Sequence, residues 1–127
     1  MTVITIDKNI CTGCQECATV CPVGAIEGIH GQPQIINTEK CVMCGQCVQK
    51  CKAYVSWNAS GVGAYERIRA ERGLPETVKE PLFAAHNVSH IAEVKAALAD
   101  PNVITMVQSA PAVRVAIAED FGAPLGL

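Results

Sequence analysis

The chain has 127 residues, a formal net charge of −2 and an apolar content of 50%, while aromatic residues make up only 4%. A nearly neutral chain without a basic cluster excludes a nucleic-acid partner. No stretch approaches the roughly 18 consecutive apolar residues of a membrane span, and the N-terminal sequence MTVITID lacks the regions of a secretory signal. We therefore predict a soluble, cytoplasmic protein without a membrane span.

The cysteines divide the chain into two parts. All eight lie between positions 11 and 51, and the second half has none. A chain of this length holds one ordinary domain, or a very small domain stabilised by something other than a core together with a second fragment. The clustered cysteines favour the second possibility.

The first half contains an internal repeat in which the pattern C-x2-C-x2-C-x3-C occurs twice, 30 residues apart. Three cysteines two residues apart can wrap a short loop around one corner of an iron–sulfur cube, and repeated cysteine runs of this kind hold 4Fe-4S clusters. We predict two 4Fe-4S clusters as cofactors, with these cysteines as both cofactor and metal ligands: Cys11, Cys14, Cys17, Cys21, Cys41, Cys44, Cys47 and Cys51.

Three other uses of cysteine explain less of the repeat. A disulfide framework is typical of small secreted chains, which carry a signal and a higher cysteine density. Two zinc sites of four cysteines each would also use C-x2-C pairs, but zinc does not require a third cysteine at the same step. A thioredoxin-like redox pair needs a single C-x2-C. The iron–sulfur interpretation accounts for the whole repeat.

Residues 3 to 57 resemble a bacterial 2x4Fe-4S ferredoxin domain, through CTGCQECATVCPVGAI and CVMCGQCVQKCKAYVS. In such two-cluster ferredoxins the fourth cysteine of each motif ligates the other cluster. The resemblance thus implies that cluster one takes Cys11, Cys14, Cys17 and Cys51, and cluster two takes Cys41, Cys44, Cys47 and Cys21. Lys52 stands where the first motif has Pro22, so the second motif departs from the family pattern at its exit.

The same resemblance implies two pseudo-symmetric strand-helix-strand halves. Strands near residues 3–6 and 55–57 would pair at one end, a hairpin of residues 26–29 and 34–37 would form the other, and short helices would follow Cys17 and Cys47. A unit of this size has little apolar core, so we expect the iron-free form to be largely unfolded.

Residues 59–101 are predicted to form a helical connector. Glycines and prolines interrupt residues 58–85, and a short helix over residues 64–72 would turn Tyr65 and Ile68 inward. Ser89 is a good N-cap for a second helix, which Asp100-Pro101 would end.

Residues 102–127 are predicted to form an incomplete α/β segment. The apolar run of residues 103–107 indicates a strand buried on both faces, and Ser109-Ala110-Pro111 marks the start of a helix carrying Val113, Ile117 and Phe121. The overall fold class is α+β, with domains at 1–58, 59–101 and 102–127.

The stretch VQSAPAVRVAIAEDFGAPL, residues 107–125, resembles the entry into the catalytic domain of iron-only (FeFe) hydrogenases. In that family later cysteines hold the active-site cluster, but no cysteine follows Cys51 here. The resemblance therefore implies a chain that is not catalytic alone and has a hydrogenase catalytic domain or subunit as partner. A redox donor or acceptor such as ferredoxin would be the second partner.

Two functions follow from these patterns. The chain is either the electron-relay domain of an iron-only hydrogenase or a standalone ferredoxin-type carrier or electron-transfer subunit. Residues 1–60 contain four acidic and four basic side chains, so they carry no net charge without the clusters. Because diffusing carriers depend on charged faces for steered encounters, this balance favours a relay fixed to its neighbour.

Overall fold

The computed structural model describes residues 3–58 and 62–122, and it divides the chain into two compact units, Met1–Ser89 and His90–Leu127. Met1, Thr2, Gly61 and the last three residues of the hydrogenase-like stretch lie outside the described residues. Among the described residues no helix has both the length and the apolarity that crossing a membrane requires. The elements in chain order are β1 (Ile4–Ile6), α1 (Glu16–Thr19), β2 (Ile26–Glu27), β3 (Ile35–Ile36), α2 (Gln46–Lys50), β4 (Tyr54–Val55), α3 (Val62–Glu71), β5 (Leu82–Phe83), β6 (Ala85–Asn87), α4 (Ile91–Ala99) and α5 (Pro111–Asp120).

The first unit is a small ferredoxin-like domain of short helices and strands. The predicted hairpin is confirmed, because β2 and β3 pair antiparallel with Ile26 opposite Ile36. The predicted helices at the cysteine motifs are also present, although α1 and α2 begin one residue before Cys17 and Cys47. Both cysteines are buried on these helices.

The predicted pairing of β1 with residues 55–57 is wrong. β1 pairs antiparallel with β6, with Ile4 opposite Asn87, while β4 pairs with β5. Strands of two or three residues are too short to show a period-2 pattern, so residues 82–87 resembled a connector. Their small buried side chains, Ala84 at 0% and Ala85 at 1% exposure, let this segment pack closely beside the cysteine motifs.

Helix α3 supplies the largest buried side chain of the unit. Tyr65 and Ile68 face inward as predicted, at 0% and 3% exposure. They join Ile10, Ala53, Leu82 and Ala84 in one core cluster, and Trp57 meets the Tyr65 ring edge-on at 5.9 Å. The Tyr65 hydroxyl donates to the Glu80 carbonyl at 2.8 Å. This packing ties residues 62–84 to the cysteine-bearing half.

An ion pair reinforces the same connection. Arg72 Nη2, near the end of α3, lies 3.4 Å from the Asp7 carboxylate and donates to the Phe83 carbonyl at 2.9 Å. Asp7 precedes the first cysteine loop, and its carbonyl accepts the Cys11 N–H at 2.9 Å. The extension after residue 58 is therefore linked directly to that loop.

The second unit contains the two predicted helices but not the predicted strand. His90, not Ser89, is the residue before α4, and α5 begins at Pro111 as the sequence indicates. Residues 103–110 have no regular structure, and Ile104, Met106 and Val107 are each at least 87% exposed. A strand needs a neighbour for its backbone groups, and none of the described residues of this unit pairs with the run.

Candidate iron–sulfur site

The eight cysteines lie on two short loops, on the helices that follow them, and at the segments leaving each helix. All eight are within the described residues and all are free thiols, which does not match a disulfide framework. Cys17 and Cys47 are buried, Cys14 and Cys44 are exposed, and the other four are half-buried. Each motif therefore presents one buried and one exposed thiol.

The cysteines gather around two cavities of similar size. Cavity one has an empty volume of about 300 Å³, and the four thiols around it are Cys11, Cys14, Cys17 and Cys51. Cavity two has about 320 Å³, and its four thiols are Cys21, Cys41, Cys44 and Cys47. Each cavity thus combines three cysteines from one motif with the last cysteine of the other.

Left-handed backbone shapes both cysteine loops. In the first loop Gly13 has φ 71° and Gln15 has φ 61°, and in the second Met43 has φ 56° and Gly45 has φ 78°. A left-handed residue is uncommon outside glycine. Its recurrence at the same two steps of each motif bends both loops around their cavities.

Backbone N–H groups point at four of the thiols. At cavity one, Gln34 N–H donates to Cys11 Sγ at 3.5 Å and Ala85 N–H to Cys51 Sγ at 3.4 Å. At cavity two, Ala25 N–H donates to Cys21 Sγ at 3.2 Å and Met43 N–H to Cys41 Sγ at 3.4 Å. Such donors stabilise negative charge on sulfur.

The surroundings of individual thiols shift their acidity in opposite directions. Burial, together with the neighbouring Cys11 charge, raises the pKa of the Cys17 thiol to about 11, and burial also raises the pKa of Cys47. Burial acts to raise the pKa of Cys21 as well, but the backbone N–H groups of residues 23–26 outweigh it and lower that pKa. The buried thiols therefore need a positive partner to exist as thiolates, and iron supplies one.

The rims of the two cavities differ in polarity. Glu16 lines cavity one and lies 3.9 Å from Lys50 and 3.6 Å from Lys52, in largely exposed ion pairs that contribute little to stability. Cavity two is lined by the exposed apolar side chains Val42 and Met43, at 59% and 52% exposure. A group held in cavity two is thus bordered by apolar side chains.

These features fit a 4Fe-4S cluster in each cavity. Four thiols provide the ligand set of one cluster, and the N–H donors match the hydrogen bonds that cluster sulfurs accept. At Gly13 the backbone of Gln32 comes so close that any Cβ would collide with it. The first loop is therefore packed directly against the turn that contains Gln32.

Comparison with known proteins gives the family. A model of the 4Fe-4S dicluster domain matches residues 3–52. Ferredoxin-1 of Rhodobacter capsulatus is 38% identical over 52 residues, which cover 36% of this chain and 78% of that ferredoxin. The chain belongs to the 4Fe-4S dicluster ferredoxin family. It carries two 4Fe-4S clusters, and the function of this domain is iron–sulfur electron transfer.

Two longer proteins are similar over different lengths of this ferredoxin-family chain. The NADP-reducing hydrogenase subunit HndD of Solidesulfovibrio fructosivorans is 34% identical over 106 residues, which are 72% of this chain and 18% of that subunit. An uncharacterized polyferredoxin-like protein of Methanocaldococcus jannaschii is 36% identical over 66 residues, which are 42% of this chain and 39% of that protein. The chain therefore spans well under half of either relative.

Sequence reasoning missed several residues around cavity one. Gln34, Ala84 and Ala85 line it, although none of the three belongs to a cysteine motif. Two adjacent alanines within a segment without helical periodicity are a weak signal of close packing. Gln34 gave no signal at all, because only the tertiary structure brings it to Cys11.

Proposed function

We propose that this chain is the electron-relay part of an iron-only hydrogenase, passing electrons between an external partner such as a ferredoxin and an active-site cluster on residues outside this chain. The observation that carries the proposal is the length of the similarity to the hydrogenase subunit. It covers 106 residues, whereas the dicluster domain match covers only residues 3–52. The likeness therefore extends beyond the cluster-binding motifs.

We assign the ligands in the crossed arrangement that the sequence resemblance implies. The gathering of Cys51 with the first triplet and of Cys21 with the second around separate cavities supports this assignment. Each cluster, when bound, supplies a one-electron carrier. The chain's own residues would hold it through thiolates and direct N–H groups at the sulfurs, and no side chain acts as an acid, base or nucleophile.

The second unit supports a fixed partner. Its residues 103–107 expose Ile104 at 89% and Val107 at 91%, and Phe121, the residue that follows helix α5, is exposed at 83%. Contiguous exposed apolar residues mark interaction sites in stable proteins. We propose that this unit packs on a hydrogenase catalytic domain or subunit, as the resemblance of residues 107–125 implies.

A second candidate is a standalone ferredoxin-type carrier or an electron-transfer subunit of another oxidoreductase. The similarity to Ferredoxin-1, which covers 78% of that protein, favours it. The balanced charge of residues 1–60 argues against a freely diffusing carrier. The hydrogenase relay therefore remains the function that the observations support best.

The partner test is co-purification under anaerobic conditions from the source cells. The relay proposal expects the chain, or its continued reading frame, together with the downstream cysteines of a hydrogenase active site. Recovery of the chain without any such polypeptide, yet able to reduce or oxidise a soluble acceptor, would favour the carrier instead.

The ligand test compares single substitutions by EPR of the reduced protein. Two clusters imply about eight irons and two interacting reduced signals. In the crossed arrangement, Cys51→Ala disturbs the same signal as Cys14→Ala and leaves the signal that Cys44→Ala disturbs. The opposite grouping, with Cys51→Ala matching Cys44→Ala, would contradict the assignment.

A further inference from the structure

The turn of residues 28–34 lies over the first cysteine loop and is fastened to it at two points. Gln15 Nε2 donates to the Gly28 carbonyl at 3.0 Å, and Gly31 N–H donates to the Gly13 carbonyl at 3.0 Å. Gly13 cannot carry a side chain because the Gln32 backbone occupies that space. The 28–34 turn therefore packs closely against this loop.

Gln34 holds the turn from inside. Its side-chain Nε2 donates to the Gln32 carbonyl at 2.8 Å and to the Ile29 carbonyl at 3.0 Å, so one amide closes the turn on itself. The residue is 2% exposed and lines cavity one, and its main-chain N–H is the donor to Cys11 Sγ. Gln34 thus links the 28–34 turn to Cys11, a cluster ligand.

The fit around Gln34 is tight and leaves one polar atom unpaired. A Cβ at Gly28 would lie 2.8 Å from Gln34 Nε2. Gln34 Oε1 is buried and accepts no hydrogen bond from the described residues. An unpaired buried oxygen costs free energy, so Oε1 does not help to hold the amide in place. The two hydrogen bonds that Nε2 donates set the position of the amide.

At cavity two the backbone N–H groups that donate to the thiols come from residues close to the cysteines in sequence. These N–H donors belong to residues 23–26, two to five residues after Cys21, and to Met43, two residues after Cys41. At cavity one the donors are 23 and 34 residues away from Cys11 and Cys51. A change at Gln34 therefore acts on the sulfurs of cavity one and leaves those of cavity two in place.

We propose that Gln34 is a positioning residue that sets the reduction potential of the cluster in cavity one, by holding the 28–34 turn so that its own N–H reaches Cys11 Sγ. The inference rests on the proposed ligand sets. An N–H donor to a ligand sulfur stabilises the more negative, reduced cluster. Loss of the two hydrogen bonds that the Gln34 side chain donates therefore lowers the reduction potential of that cluster.

The test measures both midpoint potentials of the full chain by redox titration followed by EPR. Gln34→Met removes the donated bonds at similar length, and Gln34→Glu replaces the donor by a carboxylate of the same shape. We expect one of the two couples to shift to lower potential in both variants, further in Gln34→Glu. Gln49→Met, on an exposed face of α2, is the matched control and should move neither couple.

A cavity-two variant identifies which couple moves. Met43 lines cavity two and not cavity one. Met43→Gln should therefore shift the couple that the Gln34 variants leave unchanged. Unmoved potentials in both Gln34 variants, equal shifts of both couples, or a shift of the couple that Met43→Gln moves would overturn the proposal.

Two further measurements separate folding and loading from tuning. If Gln34→Met loses iron, Gly28→Ala is the second variant: it strains the backbone at φ 147° and presses on the amide without removing it. It should shift the same couple, and an unmoved potential there counts against the role. Iron content is measured in parallel. Failure of the wild-type chain to hold two clusters would refute the proposed function itself, whereas full iron content with unmoved potentials would refute only the role of Gln34.

Discussion

At the scale of single residues, the two cysteine loops have the same left-handed backbone conformation at two matching positions, but glycine occupies a different one of these positions in each loop. The first loop has glycine at position 13 and glutamine at 15, and the second has methionine at 43 and glycine at 45, all with positive φ. The reason lies in the neighbours. The Gln32 backbone fills the space beside Gly13, whereas no atom of the described residues lies within 4 Å of a Cβ placed at Gly45.

The two glycines should therefore respond differently to substitution. In Gly45→Ala only the left-handed conformation is penalised, and we expect a loss of about 1–2 kcal/mol in the free energy of unfolding with both clusters retained. In Gly13→Ala the turn must also move away, so the cluster in cavity one should be lost. Denaturant unfolding and iron content measure the two effects, and equal iron loss in both variants would contradict this explanation.

At the scale of secondary-structure elements, strand β6 and the residue before it place small side chains where cavity one needs space. Ala84 and Ala85 are almost fully buried and line that cavity, and Ala85 also provides the N–H for Cys51. Tyr65 of helix α3 and Arg72, the residue after that helix, anchor the segment. The elements after residue 58 thus complete the wall of cavity one.

Ala85→Leu should expel the cluster from cavity one. Inserting a larger side chain into a filled site typically costs about 1–3 kcal/mol, and here the added atoms point to the space that the cluster needs. We expect iron to fall to roughly half while the other reduced EPR signal persists. Asn87→Leu, at an exposed position of the same strand, is the control and should keep full iron.

Substitutions at Tyr65 separate its ring from its hydroxyl. Tyr65→Phe removes the hydrogen bond to the Glu80 carbonyl and should cost about 1 kcal/mol. Tyr65→Ala leaves a cavity in the core and should cost about 3–5 kcal/mol. Chemical denaturation of the iron-loaded protein gives both values. A similar loss for the two variants would mean that the ring adds little packing.

At the scale of the whole molecule, the chain consists of a cluster-binding unit that ends at Ser89 and a second unit that begins at His90. The first unit has buried cores around Tyr65 and around Ile4, Cys17 and Cys47. In the second unit the apolar positions of α4, Ile91 and Leu98, are exposed by more than 60%. We propose that the unit holding both clusters extends to residue 89, past the predicted boundary at 58.

A pair of shortened chains tests this boundary. Residues 1–89 retain β5, β6 and α3 and should hold both clusters with the spectra of the full chain. Residues 1–58 lose the partner of β1 and the Ala84–Ala85 wall, so they should hold iron poorly, most of all in cavity one. Equal iron content and equal unfolding midpoints in the two chains would show that the extension is dispensable.

The local features of this protein could be predicted from its sequence because they depend on residues close together in the chain. The cysteine repeat, the helices at Cys17 and Cys47, the hairpin of residues 26–36 and the inward face of Tyr65 and Ile68 are of this kind. Two 4Fe-4S clusters follow from the same spacing. The repeat and the inward face of α3 rest on a spacing that a few neighbouring residues define, whereas the two short helices and the hairpin are predicted from the resemblance to two-cluster ferredoxins.

Only the tertiary structure decided which distant segments meet. Strand β1 pairs with β6 and not with residues 55–57, residues 103–107 have no partner strand among the described residues, and the N–H donors of Gln34 and Ala85 reach sulfurs 23 and 34 residues away. Strand pairing and N–H···S bonds use backbone groups that every residue except proline possesses. The side-chain sequence therefore does not encode their partners, and packing of the whole unit selects them.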